Sequence, residues 1–99
     1  MVCALTVRSL RPGTLAQFKE AFLAGEGPPP GFVRFNMLRN RSNPDEVICF
    51  GFFDGTVDQL RQAAADFGYE QQLARIAPFV ERIGTDGLFE IVEDWTASA

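Results

Sequence analysis

An α+β domain with one antiparallel sheet and its helices on a single face is the fold class this sequence predicts. Three observations predict it. Segments with strand alternation and segments with helical spacing follow one another in the order β-α-β-β-α-α-β. The stretch VICFGFF (47–53) is apolar on both faces and reads as a central strand. A hard break, GEGPPPGF (25–32), ends a helix and at once starts a strand, because prolines cannot continue a helix and stiffen the connector. The order is that of a split βαβ unit repeated, the ferredoxin-like arrangement of sheet and helices.

Each element has its own local reason. In VCALTVRSL (2–10), Cys3, Leu5 and Val7 alternate with Ala4, Thr6 and Arg8, which is strand spacing. Arg11-Pro12-Gly13 turns the chain. Thr14 and Gln17 then have capping-box spacing, and Leu15, Phe18 and Phe22 give an apolar helical stripe as far as about residue 24. The second strand runs over 32–39. Strict alternation places Phe32, Arg34, Asn36 and Leu38 on one face and Val33, Phe35 and Met37 on the other. NRSNPDE (40–46) is a turn before the third strand. Asp54-Gly55 turns the chain again, and Thr56 with Gln59 repeats the capping box ahead of Val57, Leu60 and Ala64. Phe67-Gly68 breaks that helix. A third helical stretch is expected over 69–82 with a kink at Pro78, then a turn at Thr85-Asp86-Gly87, then a last strand over 88–95.

Composition narrows the function. Ninety-nine residues make one domain, and ten phenylalanines are many for its interior, so part of them is expected at an oligomer interface. With no helices on it, one sheet face would carry either Leu5, Val7, Phe35, Ile48, Phe50 and Phe52 or the alternating set. Either set needs covering, so a homodimer packed sheet against sheet is expected. The net charge of −4, without a basic stripe, argues against nucleic acid, whose phosphates supply most of the affinity for their binders. ICFGFF (48–53) resembles the aromatic strand motif of RNA-recognition domains, but it lacks the leading basic residue, and the first strand lacks a second aromatic. Cys3 and Cys49 read as buried free thiols, and no metal is expected. With no histidine the chain lacks the usual metal ligand and the usual general base. The residues before Arg8 are too few for a signal peptide or a membrane span, which gives a cytoplasmic expectation.

Several short patterns, in order along nearly the whole chain, resemble the antibiotic biosynthesis monooxygenase family of dimeric α+β barrels. They are Arg11-Pro12-Gly13 after the first strand, Pro30-Gly31-Phe32 at the entry to the second, Phe53-Asp54-Gly55-Thr56 after the third, and Tyr69, Leu73 and Ala77-Pro78 in the later helix. The chain departs from the family at Phe53, where tryptophan is frequent, and at Ala63, where histidine is frequent. Haem-degrading relatives use an asparagine, a tryptophan and an iron-ligating histidine where this chain has Thr6, Phe53 and Leu73, so haem degradation is not expected.

The resemblance implies a pocket between sheet and helices, faced by the small residues Ala4, Thr6, Cys49 and Gly51. Such residues either leave room for a ligand or let helices pack close. That orientation puts Cys3 on the opposite face from Cys49. The family's known chemistry is oxygenation of electron-rich polycyclic phenols without a cofactor, the substrate being held as an anion that reacts with oxygen directly. Carried onto this chain, Arg34 would stabilise the anion, Asn36 would orient a carbonyl and Tyr69 would relay a proton. Thr6, Cys49, Gly51, Phe53, Phe67 and Leu73 would line the pocket. Without histidine the base would be a perturbed carboxylate, a tyrosinate or the substrate's own acidity. The two function classes that follow are a cofactor-free monooxygenase acting on a polycyclic aromatic or quinol, and a non-catalytic dimeric small-molecule-binding or accessory protein of the same fold.

Overall fold

The computed structural model describes residues 1–25 and 27–96. Its elements are β1 (Val2–Leu10), α1 (Leu15–Leu23), β2 (Phe32–Asn40), β3 (Asn43–Phe53), α2 (Val57–Asp66), α3 (Tyr69–Ile76), a 3-10 turn (Ala77–Phe79) and β4 (Val80–Glu90). The strands form one antiparallel sheet in the order β2-β3-β1-β4. The molecule is a slab of 36 × 35 × 23 Å, two layers thick.

All three helices lie on one face, as the sequence predicts. Alternation points Val2, Ala4, Thr6, Arg8 and Leu10 of β1 to that face, with Val47, Cys49, Gly51 and Phe53 of β3 opposite them. Phe18 of α1 and Ile76 of α3 pack on Leu10, Val47 and Cys49 at one end. Leu60 of α2 packs on Val2 and Phe53 at the other. Between these two clusters the layers are less filled, and that gap positions the site described below. The uncovered face carries Leu5, Val7, Leu38, Ile48, Phe50, Phe52 and Phe89. Leu38 and Phe89 are 45% and 46% exposed there, so the surface is apolar and open.

Several expectations need correction. Thr14 makes no capping box: its backbone is not extended, and its hydroxyl donates instead to the carbonyl of Arg11 at 2.7 Å. Thr56 is extended, and there the reciprocal pair with Gln59 is complete, at 2.8 and 3.1 Å. The 40–46 turn shrinks to Arg41-Ser42, because Asn40 accepts the Ser42 amide at 2.8 Å and β3 begins already at Asn43.

The third helix stops at Ile76. Pro78 has no amide hydrogen to continue it, and the chain tightens into a 3-10 turn. β4 then starts at Val80, so Thr85-Asp86-Gly87 lies inside the strand and 91–95 beyond it. Register shifts against β1 between Thr6 and Arg8 and between Ser9 and Leu10 break the alternation that would have marked this strand. Finally, β2 has an irregularity between Phe32 and Arg34. Phe32 packs edge-on against Phe53 and Phe35 stacks on Phe22, so both face the helices. Strict alternation would have separated them.

Candidate active site

A cleft of about 1060 Å³ opens between the helix-side face of the sheet and the three helices. Its floor is Ala4, Thr6, Arg8, Cys49 and Gly51, its walls include Phe22, Phe32 and Phe35, and Phe67 and Tyr69 stand on the α2–α3 side. The small floor residues therefore do leave room. Gly51 has a second reason to be small, since a Cβ there would lie 2.9 Å from the ring of Phe32. A lesser groove of about 500 Å³, at Ser9, Pro12, Asn43 and Glu81, contains no buried charged side chain and is the poorer candidate.

Along one side of the cleft α1 and α3 are tied together by hydrogen bonds. Arg75 donates to the carbonyls of Ala21 (3.0 Å) and Ala24 (2.6 Å), and Gln72 to that of Phe22 (2.9 Å). These side chains satisfy carbonyls that the end of α1 leaves free, and the arginine complements the helix dipole there.

Of the residues expected to form the site, Thr6, Cys49, Gly51, Phe67 and Tyr69 border the cleft. Phe53 does not; it is 4% exposed and belongs to the core with Val2 and Leu60. Leu73 packs against the core around Phe18 and Ile76. Arg34 and Asn36 point the other way. They pair with Phe52 and Phe50 on the uncovered face, where the Arg34 guanidinium donates to Asn36 Oδ1 at 2.9 Å. The β2 irregularity is the cause: Phe32 is turned inward, and the residues two and four places after it are turned outward.

The sequence reading missed two polar groups on the cleft floor. Asp86 of β4 stands opposite Thr6 of β1 and accepts a hydrogen bond from its hydroxyl, Oγ1 to Oδ1, at 2.9 Å. Arg8 is 4% exposed, with its guanidinium carbon 5.9 Å from the Phe18 ring and 6.0 Å from the Phe22 ring. Its Nη1 is buried without a hydrogen-bond partner among the described residues. Cation–π contacts of this kind contribute about 0.5–2 kcal/mol each, while an uncompensated buried charge costs several. The rings offset part of the burial of Arg8, and an unmet demand for a hydrogen-bond acceptor remains. The available signal was the alternation itself, which puts Arg8 on the same face as Ala4 and Thr6.

Cys49 lies beside that guanidinium. Burial pushes its thiol above the ordinary 9.0, and the positive charge of Arg8 offsets part of the rise; burial also raises Cys3. The native state therefore holds these two protons more tightly than the unfolded chain does. Stability should not respond to these groups below about pH 8 and should fall as the pH rises through 9 and beyond. Urea unfolding at pH 7, 9 and 10 checks this, and a Cys3→Ala, Cys49→Ala double variant should show a shallower fall.

Among the described residues, no group of three or more His, Cys, Asp or Glu side chains is arranged to hold a metal ion, and no helix is long and apolar enough to cross a membrane. No family model and no curated protein matches the chain by sequence. Solved structures do match. A provisionally named antibiotic biosynthesis monooxygenase from Chloroflexus aurantiacus superposes with a TM-score of 0.77 at 12% identity, over 96% of each chain. Another from Deinococcus radiodurans covers both chains fully, with a TM-score of 0.75 at 13% identity. SnoaB, a cofactor-independent oxygenase from Streptomyces nogalater, in an asparagine-to-alanine variant, gives 0.74 at 22% identity over 94% of each chain. The fold of this chain is that of the antibiotic biosynthesis monooxygenases.

Proposed function

We propose that the protein is a small cofactor-independent monooxygenase acting on a polycyclic aromatic phenol or quinol bound in the helix-side cleft. The observation that carries this reading is the Thr6–Asp86 pair: a carboxylate held by a 2.9 Å hydrogen bond on the floor of an aromatic-walled cleft, in a chain without histidine. The similarity of fold to a cofactor-independent oxygenase supports it.

In this reading Asp86 is the general base, and Thr6 fixes the orientation of its carboxylate. An anthrone-type substrate gives a proton to Asp86 and becomes an electron-rich anion. The anion passes electrons to dioxygen and forms a carbon–oxygen bond. Loss of the second hydrogen and cleavage of the O–O bond then give the quinone and water, so the substrate gains one oxygen and loses two hydrogens. Tyr69, at the edge of the cleft, supplies one proton of that water and regains it through solvent from Asp86, which returns both groups to their starting state. The pocket members are Thr6, Cys49, Gly51 and Phe67, with Phe22, Phe32 and Phe35 added. Phe53 and Leu73 act behind the wall, and Arg34 and Asn36 have no part in the cleft.

The uncovered sheet face, with Phe50, Phe52 and Leu38, belongs in this reading to a homodimer packed sheet against sheet. The alternative is a non-catalytic protein of the same fold that binds a small aromatic ligand. Incubation of the chelator-treated, flavin-free protein with anthrone- and naphthoquinol-type compounds tests the proposal. From an anthrone-type compound, a product 14 mass units heavier should form faster than in the protein-free control. Conversion no faster than the control across the panel would overturn it.

A further inference from the structure

The structure assigns Arg8 a binding role: we infer that it is an anion-recognition residue, and that the cleft selects planar aromatic ligands carrying a negative charge at the edge that meets its guanidinium. The inference deepens the oxygenase reading, since a substrate held as its anion is the ligand that reading requires, but binding can be tested without turnover.

Three observations meet at this point. Arg8 is 4% exposed and borders the cleft, and its buried Nη1 is a donor with no acceptor among the described residues. A donor of that kind is rarely left unsatisfied in a folded protein unless a ligand or water completes it. Beside it stands an aromatic wall, Phe22 stacked on Phe35 with centroids 5.3 Å apart and ring planes 22° apart, which suits a flat ring system. The cysteine next to the guanidinium holds its proton, because burial raises it, and so it does not neutralise the arginine at ordinary pH.

Position on the strand completes the argument. Thr6 and Arg8 are two residues apart on one face of β1, so their Cα atoms are separated by roughly 6.6 Å. A fused-ring ligand can therefore place one polar edge at the Thr6–Asp86 pair and another at Arg8. Arg61 and Arg75 also border the cleft, but Arg61 is solvent-exposed and the Arg75 guanidinium is engaged by the carbonyls of α1. Arg8 is the buried cation left to meet an anionic oxygen, and its planar fork suits a carboxylate or a delocalised phenolate.

The test compares 2-naphthoate with 2-naphthamide, an anion and its neutral near-isostere, by calorimetric titration at pH 7.5 against the full chain. Wild type should bind the naphthoate more tightly by about tenfold or more, the usual worth of a charge-assisted hydrogen bond. Arg8→Met should abolish that preference while still binding the amide, and Arg8→Lys should keep part of it. Equal affinities in wild type, no binding of either probe, or a preference that survives Arg8→Met would each overturn the inference. Should Arg8→Met not fold, the wild-type comparison and Arg8→Lys still decide. A naphthoate preference in a protein that consumes no oxygen would sustain the anion site and remove the oxygenase reading, so the two fail separately.

Discussion

Gly31→Ala should destabilise the protein by about 2–4 kcal/mol, more than an ordinary glycine-to-alanine change in a loop. Two causes add. Gly31 has φ +101, a conformation that costs an L-residue of order 1–3 kcal/mol. A Cβ at this position would also press on the Phe53 ring, lying 2.8 Å from Cζ and nearer still to Cε2. Phe53 cannot simply yield. It is 4% exposed, it packs edge-on against Phe32, and it is part of the cluster with Val2 and Leu60. The Gly31 carbonyl also accepts the amide of Asp54 at 2.8 Å, which pins the start of β2 to the end of β3. Gly13→Ala is the matched control. Gly13 has φ +75 but open space around it, so only the backbone term applies, roughly 1 kcal/mol. Urea unfolding of the two variants should rank them in that order, and equal losses would mean that Phe53 relaxes freely.

Asp86→Asn should lower turnover of an anthrone-type substrate by about 10²–10⁴-fold, the range typical of removing a positioned general base. Stability should hardly change. The replacement keeps an oxygen that can accept from the Thr6 hydroxyl, and the side chain reaches solvent. A carboxylate is a far weaker base than a phenolate, so this step depends on the product anion being stabilised nearby. Asp86→Asn and Arg8→Met should consequently be non-additive, each removing most of what the pair achieves. Initial rates for both single variants and the double variant give the answer. Turnover by Asp86→Asn at the wild-type rate would move the base elsewhere, to Asp66, Glu70 or Tyr69, which also border the cleft.

Much of the fold was legible because its strongest signals are local. The alternation of VCALTVRSL, the apolar VICFGFF and the Thr56–Gln59 box each state their element in a few residues, and the structure places each of them as read. What was not legible depends on pairing. The register of β4 against β1 slips twice, and a bulged strand such as VERIGTDGLFE shows neither strand nor helix period.

The candidate site divides along the same line. Thr6, Cys49 and Gly51 follow from plain alternation and do face the cleft. Counting in twos from Phe32 puts Arg34 and Asn36 on the face of that ring, and one irregularity in β2 turns both outward. Asp86 is hidden in the sequence because TDG (85–87) has the composition of a turn. Arg8 is not hidden: it shares a face with Thr6, and a charged residue on the covered face of a strand is a signal in itself.

The most direct measurement is oxygen consumed per quinone formed, followed together in one vessel with chelator present, flavin absent and an anthrone-type substrate. Uptake above the protein-free rate is expected, at one dioxygen per quinone. Saturable binding of the substrate with no oxygen uptake above that rate would contradict it and leave a binding protein with this fold.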